Sequence, residues 1–350
     1  MNLFYASTTY HVLLCYILAL SDCEQENNTL LLIGNAAANK TNALFQKLFP
    51  AAFSKVLFLE SYPDHNNIKR LLVKKKNLRA LAEIVEGLSP VKKFYYTCDW
   101  KVEAEYISHL LRDTDTDTEF HYYDDGMGTY IGNYKQCRSA VERLFSRLFY
   151  GEWRVVIDAE GHLNKGAKIH TILPELLPSV YDNDVKCKID PSKLIAGLKT
   201  ENFPDELAKY ADIPAELLVA LPTVDEINGA FVSMMRNQID QAERHDSAVA
   251  IKKHPRTKSD DPIVQRLNVN GKLIDLPPEY PIELYYLLLH KTLKSVIGFT
   301  STAMMTAKIL FPEIAVIVPY TKKSVVADKT APRVFELFSK MGIELKELAD

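Results

Sequence analysis

Short apolar segments alternate with helical segments along the chain, and this alternation constrains the fold more than any other feature. In the first half the predicted strands are NLFYA (2–6), TLLLIG (29–34), KVLFLE (55–60), KKFYYTC (92–98) and EFHYYDD (119–125). In the second half they are ELLVALPT (216–223), SAVAIKKHP (247–255), KLIDLP (272–277), KSVIGF (294–299) and IAVIVP (314–319). Helices are predicted from residue 10 onwards and at 40–48, 68–87, 225–244, 280–290 and 301–310. Apolar strands separated by helices predict parallel α/β sheets that are covered on both faces.

The strands fall into two series, which predicts two domains. A length of 350 residues agrees with this, because a single core rarely grows beyond about 250–300 residues. We expect an N-terminal Rossmann-like domain over 1–165, an interdomain connection over 166–212 and a C-terminal Rossmann-like domain over 213–350. The two domains are expected to face a cleft, with ligands at the carboxyl ends of the strands.

The composition excludes several classes of protein. With 42 basic and 45 acidic residues the net charge is −3, whereas binding to nucleic acid favours a basic excess. The five cysteines show neither a CxxC pair nor a zinc-type spacing with histidine, which favours a reducing cytoplasm. The apolar N-terminus lacks the basic segment and the cleavage site of a signal peptide. We therefore predict a cytoplasmic globular protein.

Two carboxylates and a glycine, Asp124-Asp125-Gly126, end an aromatic strand and form the first candidate site. Gly126 permits a positive φ, so the backbone can turn away sharply there. One carboxylate can accept a proton from a substrate hydroxyl, while the other raises its pKa or positions it. A plain Asp-Gly turn is a common alternative explanation of this motif.

A basic turn that contains His254 and Pro255 ends the strand at 247–255, and its cations are Lys252, Lys253, Arg256 and Lys258. Pro255 biases His254 toward an extended conformation. The cations suit a phosphate or a carboxylate, although a solvated basic turn would explain the charges alone. The histidine that precedes the proline favours the functional interpretation.

Small hydroxyl residues, Thr300, Ser301 and Thr302, open the predicted helix 301–310. Free N–H groups at a helix N-terminus favour an anion, and N-capping by Thr300 or Ser301 is compatible with this. Glu283 lies in the first turn of the helix at 280–290, where it can accept hydrogen bonds from ribose hydroxyls. Acidic stabilisation of the helix start is an equal alternative for Glu283.

Taken in order, these motifs resemble those of the bacterial sialyltransferases, which share an Asp/Glu-Asp/Glu-Gly motif, a His-Pro motif and a Ser/Thr pair. The sequence is most similar to the lipooligosaccharide sialyltransferases (glycosyltransferase family 52). The similar segments are YDDGMG (123–128), GEW (151–153), HPR (254–256), YPIE (280–283), FTSTA (299–303) and FELF (335–338). The resemblance implies a GT-B fold, CMP-sialic acid as donor, inversion at the anomeric carbon, and neither a metal nor another cofactor.

The resemblance also implies roles for individual residues. His254 is expected to contact the CMP phosphate with help from Ser301 and Thr302, and Glu283 is expected to hold the ribose. The general base implied by related families is Asp124, and Asp225, in LPTVDE (221–226), is a second candidate. Thr8, Thr9 and His11, in the first strand–helix turn, are candidates for the acceptor side, with core packing as the simpler explanation.

We therefore predict a sialyltransferase that acts on a galactose-terminated glycan of a lipooligosaccharide or capsule. Contact with the inner membrane is expected to be peripheral at most, and a homodimer is compatible with the resemblance. Three alternatives stay open: a related enzyme that uses another nucleotide sugar, a polysialyltransferase, and a catalytically dead nucleotide- or glycan-binding module.

Overall fold

The structure is a computed structural model, and the chain in it divides into two compact units, Met1–Gly197 and Leu198–Asp350. Each unit contains one parallel sheet and its helices. The structure describes residues 1–23, 27–61, 67–88, 90–114, 117–132, 147–155, 157, 159–198, 202–211, 213–222, 229–245, 247–254, 257, 263, 267, 273–322 and 330–348.

The first unit carries a seven-stranded sheet in the order β3-β2-β1-β4-β5-β6-β7. Its strands are β1 (Asn2–Ala6), β2 (Asn28–Gly34), β3 (Lys55–Glu60), β4 (Lys93–Tyr96), β5 (Glu119–Tyr123), β6 (Lys168–Thr171) and β7 (Lys186–Lys188). Its helices are α1 (Thr9–Ser21), α2 (Ala36–Leu48), α3 (Asn67–Leu88), α4 (Val102–Thr114), α5 (Met127–Ile131) and α6 (Ser192–Gly197). The inner strands β1 and β2 are buried along their whole length, which explains why they read as continuous apolar runs.

The second unit carries a six-stranded sheet in the order β10-β9-β8-β11-β12-β13. Its strands are β8 (Ala215–Ala220), β9 (Ala248–Lys252), β10 (Leu273–Leu276), β11 (Ser295–Gly298), β12 (Ala315–Tyr320) and β13 (Glu344–Glu347). Its helices are α7 (Asp205–Ala208), α8 (Gly229–Arg244), α9 (Ile282–Leu289), α10 (Thr302–Leu310) and α11 (Ala331–Lys340).

Both sheets share one topology. In each, the first strand lies in the middle, the next two strands extend the sheet to one side, and the later strands extend it to the other. Every pairing in both sheets is parallel. The strand order therefore reverses between β1 and β4 in the first sheet and between β8 and β11 in the second. In open α/β sheets, ligands bind at such a reversal, beyond the carboxyl ends of the strands.

The region predicted as an interdomain connection, 166–212, differs from the expectation. Strands β6 and β7 lie within it and extend the first sheet, and the division between the units falls at Gly197. The reason is that both strands are short and only partly apolar, so their period is weak. Strand β6 has four residues, Lys-Ile-His-Thr, and the edge strand β7 has three, Lys-Cys-Lys. No helix within the described ranges combines the length and the apolar character needed to cross a membrane.

Gly298 shows how tightly the second sheet is packed at its reversal point. It ends β11 and pairs in register with Ala220 of β8. A Cβ atom at this position would lie 2.8 Å from the Met304 side chain and 3.0 Å from both the Cβ and the carbonyl oxygen of Ala220. The backbone oxygen cannot move without disturbing the sheet, so only glycine fits.

We expect Gly298→Ala to lower the free energy of unfolding of the second unit by about 1–3 kcal/mol, the usual cost of overpacking. Urea denaturation measures this as a lower midpoint. Gly229→Ala in α8 is the matched control, because a Cβ there meets nothing within 4 Å. Equal midpoints for the two variants would contradict this account of Gly298.

Candidate functional site

The turn after β5 places two neighbouring carboxylates in different environments. Gly126 adopts φ 88° and ψ −144°, so the positive φ predicted from the sequence is confirmed. A substituted residue would be strained there. Because the chain leaves the sheet sharply at this point, Asp124 and Asp125 stay at the carboxyl end of β5.

Asp124 is fully buried and both of its carboxylate oxygens are engaged. The Gly126 N–H donates to Oδ1 at 2.5 Å, and the Tyr130 hydroxyl donates to Oδ2 at 2.5 Å. Burial is the largest influence on this carboxyl and raises its pKa to about 7, although both hydrogen bonds oppose the shift. Asp124 thus ties the turn to α5, and it has no exposed surface.

Asp125 keeps 16% of its side chain exposed and accepts two hydrogen bonds on one oxygen. Its Oδ1 lies 2.7 Å from His11 Nε2 and 2.9 Å from Cys98 Sγ. Burial would raise the pKa of Asp125, but the bonds from His11 and Cys98 outweigh it and hold the pKa below the usual value. Asp125 is therefore the ionised, solvent-reachable member of the pair.

His11 belongs to a chain of hydrogen bonds that ends at Asp125. Burial lowers the pKa of His11 despite the adjacent Asp125 carboxylate, so the imidazole is neutral. A carboxylate can only accept, which assigns the proton to Nε2 and leaves Nδ1 as an acceptor. Ser7 Oγ lies 3.0 Å from Nδ1, and Lys101 Nζ donates to Ser7 Oγ at 2.7 Å. The order of donation is Lys101 to Ser7, Ser7 to His11, and His11 to Asp125.

Two further carboxyls lie buried near this turn. Asp99 accepts the Gly161 N–H at 2.7 Å, and Glu160 accepts the Tyr122 hydroxyl at 3.1 Å. Burial, followed by the charges of neighbouring carboxylates, raises the pKa of Glu160 to about 8. Burial raises the pKa of Asp99 to about 7, against the opposing hydrogen bonds from Gly161 and Leu163. Near neutral pH Glu160 is therefore mostly protonated and Asp99 is ionised only in part, whereas Asp125 is held as an anion.

The strand order explains why these residues meet. Strands β1, β4 and β5 are neighbours in the sheet, so Ser7, Cys98 and Asp125 come together at one edge. Cys98 is the one non-glycine residue with a positive φ, 48°, among those that the structure describes. Such strain costs on the order of 1–3 kcal/mol and is common at functional sites.

Sequence reasoning missed Ser7, Cys98 and Lys101, although Cys98 is the last residue of a predicted strand and Ser7 and Lys101 follow predicted strands within a few residues. A Rossmann-like strand order would have placed the ends of the first, fourth and fifth strands side by side. His11, named as an acceptor-side candidate, lies within the site. Thr8 caps α1 by accepting the His11 N–H at 3.2 Å, and Thr9 is the first residue of that helix.

In the second unit, His254 and the Ser/Thr segment follow strands on either side of β8. His254 comes two residues after β9, and Thr300, Ser301 and Thr302 follow β11 at the start of α10. Ser301 occupies the N-cap position without a side-chain capping bond. The α10 N-terminus therefore lies at the carboxyl edge of this sheet, as predicted. Asp225, Pro255, Arg256 and Lys258 lie outside the described residues.

Glu283 and two of the lysines point inward. Glu283 is 4% exposed, and Thr306 Oγ1 donates to its Oε1 at 2.9 Å; burial raises its pKa. Lys252 is also 4% exposed, and burial lowers its pKa to about 8 against the charges of Glu283 and Glu279. Lys253 pairs with Asp275 at 3.2 Å. The cationic turn predicted around His254 thus has fewer solvent-facing charges than the sequence suggested.

Several solved structures have the same architecture as this chain. An alpha/beta-galactoside alpha-2,3-sialyltransferase from the bacterium Photobacterium phosphoreum matches with a TM-score of 0.58 at 12% identity, over 98% of this chain and 97% of that one. A sialyltransferase from Photobacterium damsela matches with a TM-score of 0.55 at 14% identity, over 99% and 82%. The UDP-GlcNAc 2-epimerase of Methanocaldococcus jannaschii matches with a TM-score of 0.56 at 13% identity, over 97% and 92%. At such identities the likeness shows the fold alone, and it confirms the predicted α/β fold of GT-B type.

The family follows from the sequence. A family profile described as alpha-2,8-polysialyltransferase (POLYST) matches residues 2–320. The chain belongs to this family and is a glycosyltransferase of the sialyltransferase type, which confirms the predicted enzyme class. The narrower likeness to lipooligosaccharide sialyltransferases stays a prediction. No curated protein matches the chain significantly.

The buried acids predict a pH-dependent stability. An acid whose pKa is higher in the folded than in the unfolded state makes the free energy of unfolding fall as pH rises between the two values. For Glu160 this window runs from 4.5 to about 8. We expect Glu160→Gln to remove on the order of 1 kcal/mol per pH unit of this slope, measured by urea denaturation across the window.

Asp113→Asn is the control for that experiment, because the Asp113 carboxylate is 63% exposed. Asp113→Asn should leave the pH dependence of the free energy of unfolding as it is in the native protein. A slope that Glu160→Gln does not change would mean that Glu160 ionises normally in the folded state.

Proposed function

We propose that this protein is an inverting sialyltransferase that uses CMP-sialic acid as donor and needs no metal for the transfer step. The observation that carries the proposal is the partly exposed, ionised Asp125, held by His11 and Cys98 at the carboxyl edge of the first sheet. Membership of the polysialyltransferase family supports the reaction class. The resemblance of the sequence motifs to those of the bacterial sialyltransferases supports CMP-sialic acid as the donor.

Asp125 is proposed as the general base, in place of Asp124 or Asp225. The acceptor hydroxyl gives its proton to the Asp125 carboxylate while its oxygen bonds to the anomeric carbon of the donor, and CMP leaves from the opposite face. A base must come within hydrogen-bonding distance of the proton that it removes. Asp125 meets this condition with an exposed side chain, whereas both oxygens of the buried Asp124 are occupied. Asp124 then acts as a positioning residue for the turn.

The second unit is proposed to bind CMP. His254 and the N-terminus of α10, with Thr300, Ser301 and Thr302, lie at the carboxyl edge of the second sheet, where a nucleotide phosphate is favoured. Positive charge and N–H dipoles stabilise the leaving phosphate as the bond to the sugar breaks. Pro255, Arg256 and Gly126 complete the motifs on which this assignment rests. Glu283 is proposed to contact the ribose. Because this residue is 4% exposed, the ribose would reach it only at that small exposed part.

For the acceptor, the family description favours a glycan that already ends in sialic acid and is extended through an alpha-2,8 linkage. The galactose-terminated acceptor expected from the sequence is the second candidate. The printed description of one structural neighbour, an alpha/beta-galactoside alpha-2,3-sialyltransferase, favours that candidate.

We expect the protein to release CMP and extend a sialylated oligosaccharide in the presence of EDTA. Asp125→Asn should lower kcat by roughly 10²–10⁴, the usual contribution of a general base, with a small change in KM. Two variants with the same change of side chain are compared with Asp125→Asn. Asp124→Asn tests the neighbouring carboxylate, and Asp182→Asn is the control, because Asp182 is exposed. Turnover is measured by CMP release and by mass spectrometry of the product.

The outcomes of that assay separate the parts of the proposal. Extension of a galactoside alone would reverse the acceptor assignment. If Asp124→Asn loses more turnover than Asp125→Asn, while both variants stay folded, then Asp124 is the base. No transfer from CMP-sialic acid to any acceptor of either type would reject the function.

We expect His254→Ala to lower kcat by roughly 10²–10³, as removal of one oxyanion-stabilising donor does, and to reduce the thermal stabilisation by CMP. His245→Ala is the control, because His245 precedes β9 at the opposite edge of the same sheet. Stabilisation by UDP and not by CMP would favour a different nucleotide sugar.

A further inference from the structure

Three donor atoms of different chemical type converge at the end of the first sheet. The atoms are His11 Nε2, Cys98 Sγ and Asp125 Oδ1, and all lie within 4.8 Å of one another. The oxygen is 2.7 Å from the nitrogen and 2.9 Å from the sulfur, and the sulfur is 3.9 Å from the nitrogen. In the proposed transfer reaction only the carboxylate of this trio touches the substrate, and the imidazole and the thiol serve to hold it as an anion.

The separations are close to those of a tetrahedral zinc site. With bonds of about 2.0 Å to nitrogen and oxygen and about 2.3 Å to sulfur, ligand atoms lie roughly 3.3–3.6 Å apart. The two hydrogen-bonded pairs would open by less than about 1 Å, and the sulfur–nitrogen pair would close slightly. Rotation of the three side chains can supply such movements without a change in the strands.

We propose that His11, Cys98 and Asp125 form a binding site for a zinc-class divalent cation. Mixed nitrogen, sulfur and oxygen donors suit Zn²⁺ or Co²⁺, whereas Mg²⁺ and Ca²⁺ prefer oxygen donors alone. Three protein ligands leave a fourth position for water or a solute. On binding, the Cys98 thiol gives its proton to solvent. The His11 proton leaves Nε2, and Nδ1 takes one up and donates it to Ser7 Oγ. The metal then replaces the two hydrogen bonds to Asp125.

The surroundings of the trio support a metal at this position. Histidine ligands are commonly oriented by a partner on the other ring nitrogen, and Ser7 Oγ lies 3.0 Å from His11 Nδ1. Lys101 fixes Ser7 in turn, at 2.7 Å. Cys98, whose Sγ lies 2.9 Å from Asp125 Oδ1, has a positive φ of 48°. His11 and Cys98 are each 2% exposed and Asp125 is 16% exposed, so the ion enters beside Asp125.

Zinc would compete directly with catalysis, because it takes the oxygen of Asp125 that the acceptor hydroxyl needs. This consequence rests on the proposed function, whereas binding itself does not. The site would make a transferase that works in EDTA sensitive to free zinc.

Cobalt provides the test, because a thiolate–Co²⁺ bond produces a charge-transfer absorption band that an oxygen or nitrogen site lacks. The full-length reduced protein is titrated with Co²⁺ and then with Zn²⁺ as competitor, without any sugar substrate. We expect a one-to-one band in the native protein. Loss of an outer-shell partner already costs roughly 10–100-fold in affinity, so Cys98→Ser and His11→Gln should each weaken binding by at least roughly 100-fold.

Cys187→Ser is the matched control, because Cys187 is a half-buried free thiol on β7. It should keep the band and the native affinity. A native protein without the band, or a band that survives in Cys98→Ser or vanishes in Cys187→Ser, would overturn the site. Thermal melting shows whether each variant is folded. If either Cys98→Ser or His11→Gln does not fold, the other variant still tests the site. Sialyl transfer in EDTA is scored separately, so failure of the metal site and failure of the proposed function are distinguishable.

Discussion

The parallel pairing of β1 with β4 is the contact on which the candidate site depends. The register joins Asn2 to Lys93 and Phe4 to Tyr95, and the Phe4 and Tyr95 rings stack at 4.3 Å with an interplanar angle of 2°. Because this pairing reverses the strand order, the chain leaves β1 and β4 at neighbouring points of one edge. Ser7 and Cys98 therefore meet there, and β5 adds Asp125 from the next position.

Asp124 and Asp125 are neighbours in sequence, but their surroundings drive their pKa values in opposite directions. Asp124 is enclosed by Tyr130 and the turn backbone, and burial raises its pKa to about 7. Asp125 is stabilised as an anion by His11 and Cys98, so its pKa is lowered. Pairs of titratable groups that are separated in this way are typical of sites that divide acid and base roles. Around them, the raised pKa values of Asp99 and Glu160 limit the negative charge that repels Asp125.

Fold and family carry different kinds of information here. The same GT-B architecture holds sialyltransferases and a UDP-GlcNAc 2-epimerase, so the architecture alone does not select a reaction. The polysialyltransferase profile indicates the reaction class, because it matches the sequence over most of the chain, residues 2–320. In the proposed mechanism, the residues at the strand ends divide the chemistry, with proton acceptance in the first unit and phosphate binding in the second.

The sequence by itself determined the α/β class, the interior strands and the Gly126 turn. Local physics explains this: buried parallel strands are apolar throughout, as in TLLLIG, which lies within the fully buried β2, and glycine suits φ 88°. Strand β6 and the edge strand β7 were not predictable, because both are short and carry few apolar residues.

Only the tertiary structure decided which carboxylate is exposed, that Glu283 and Lys252 turn inward, and that His11 and Cys98 share Asp125. These features depend on which strand ends are adjacent in the sheet. Asp125 contacts Cys98 and His11, which lie 27 and 114 residues away along the chain, so no local sequence pattern predicts the contacts.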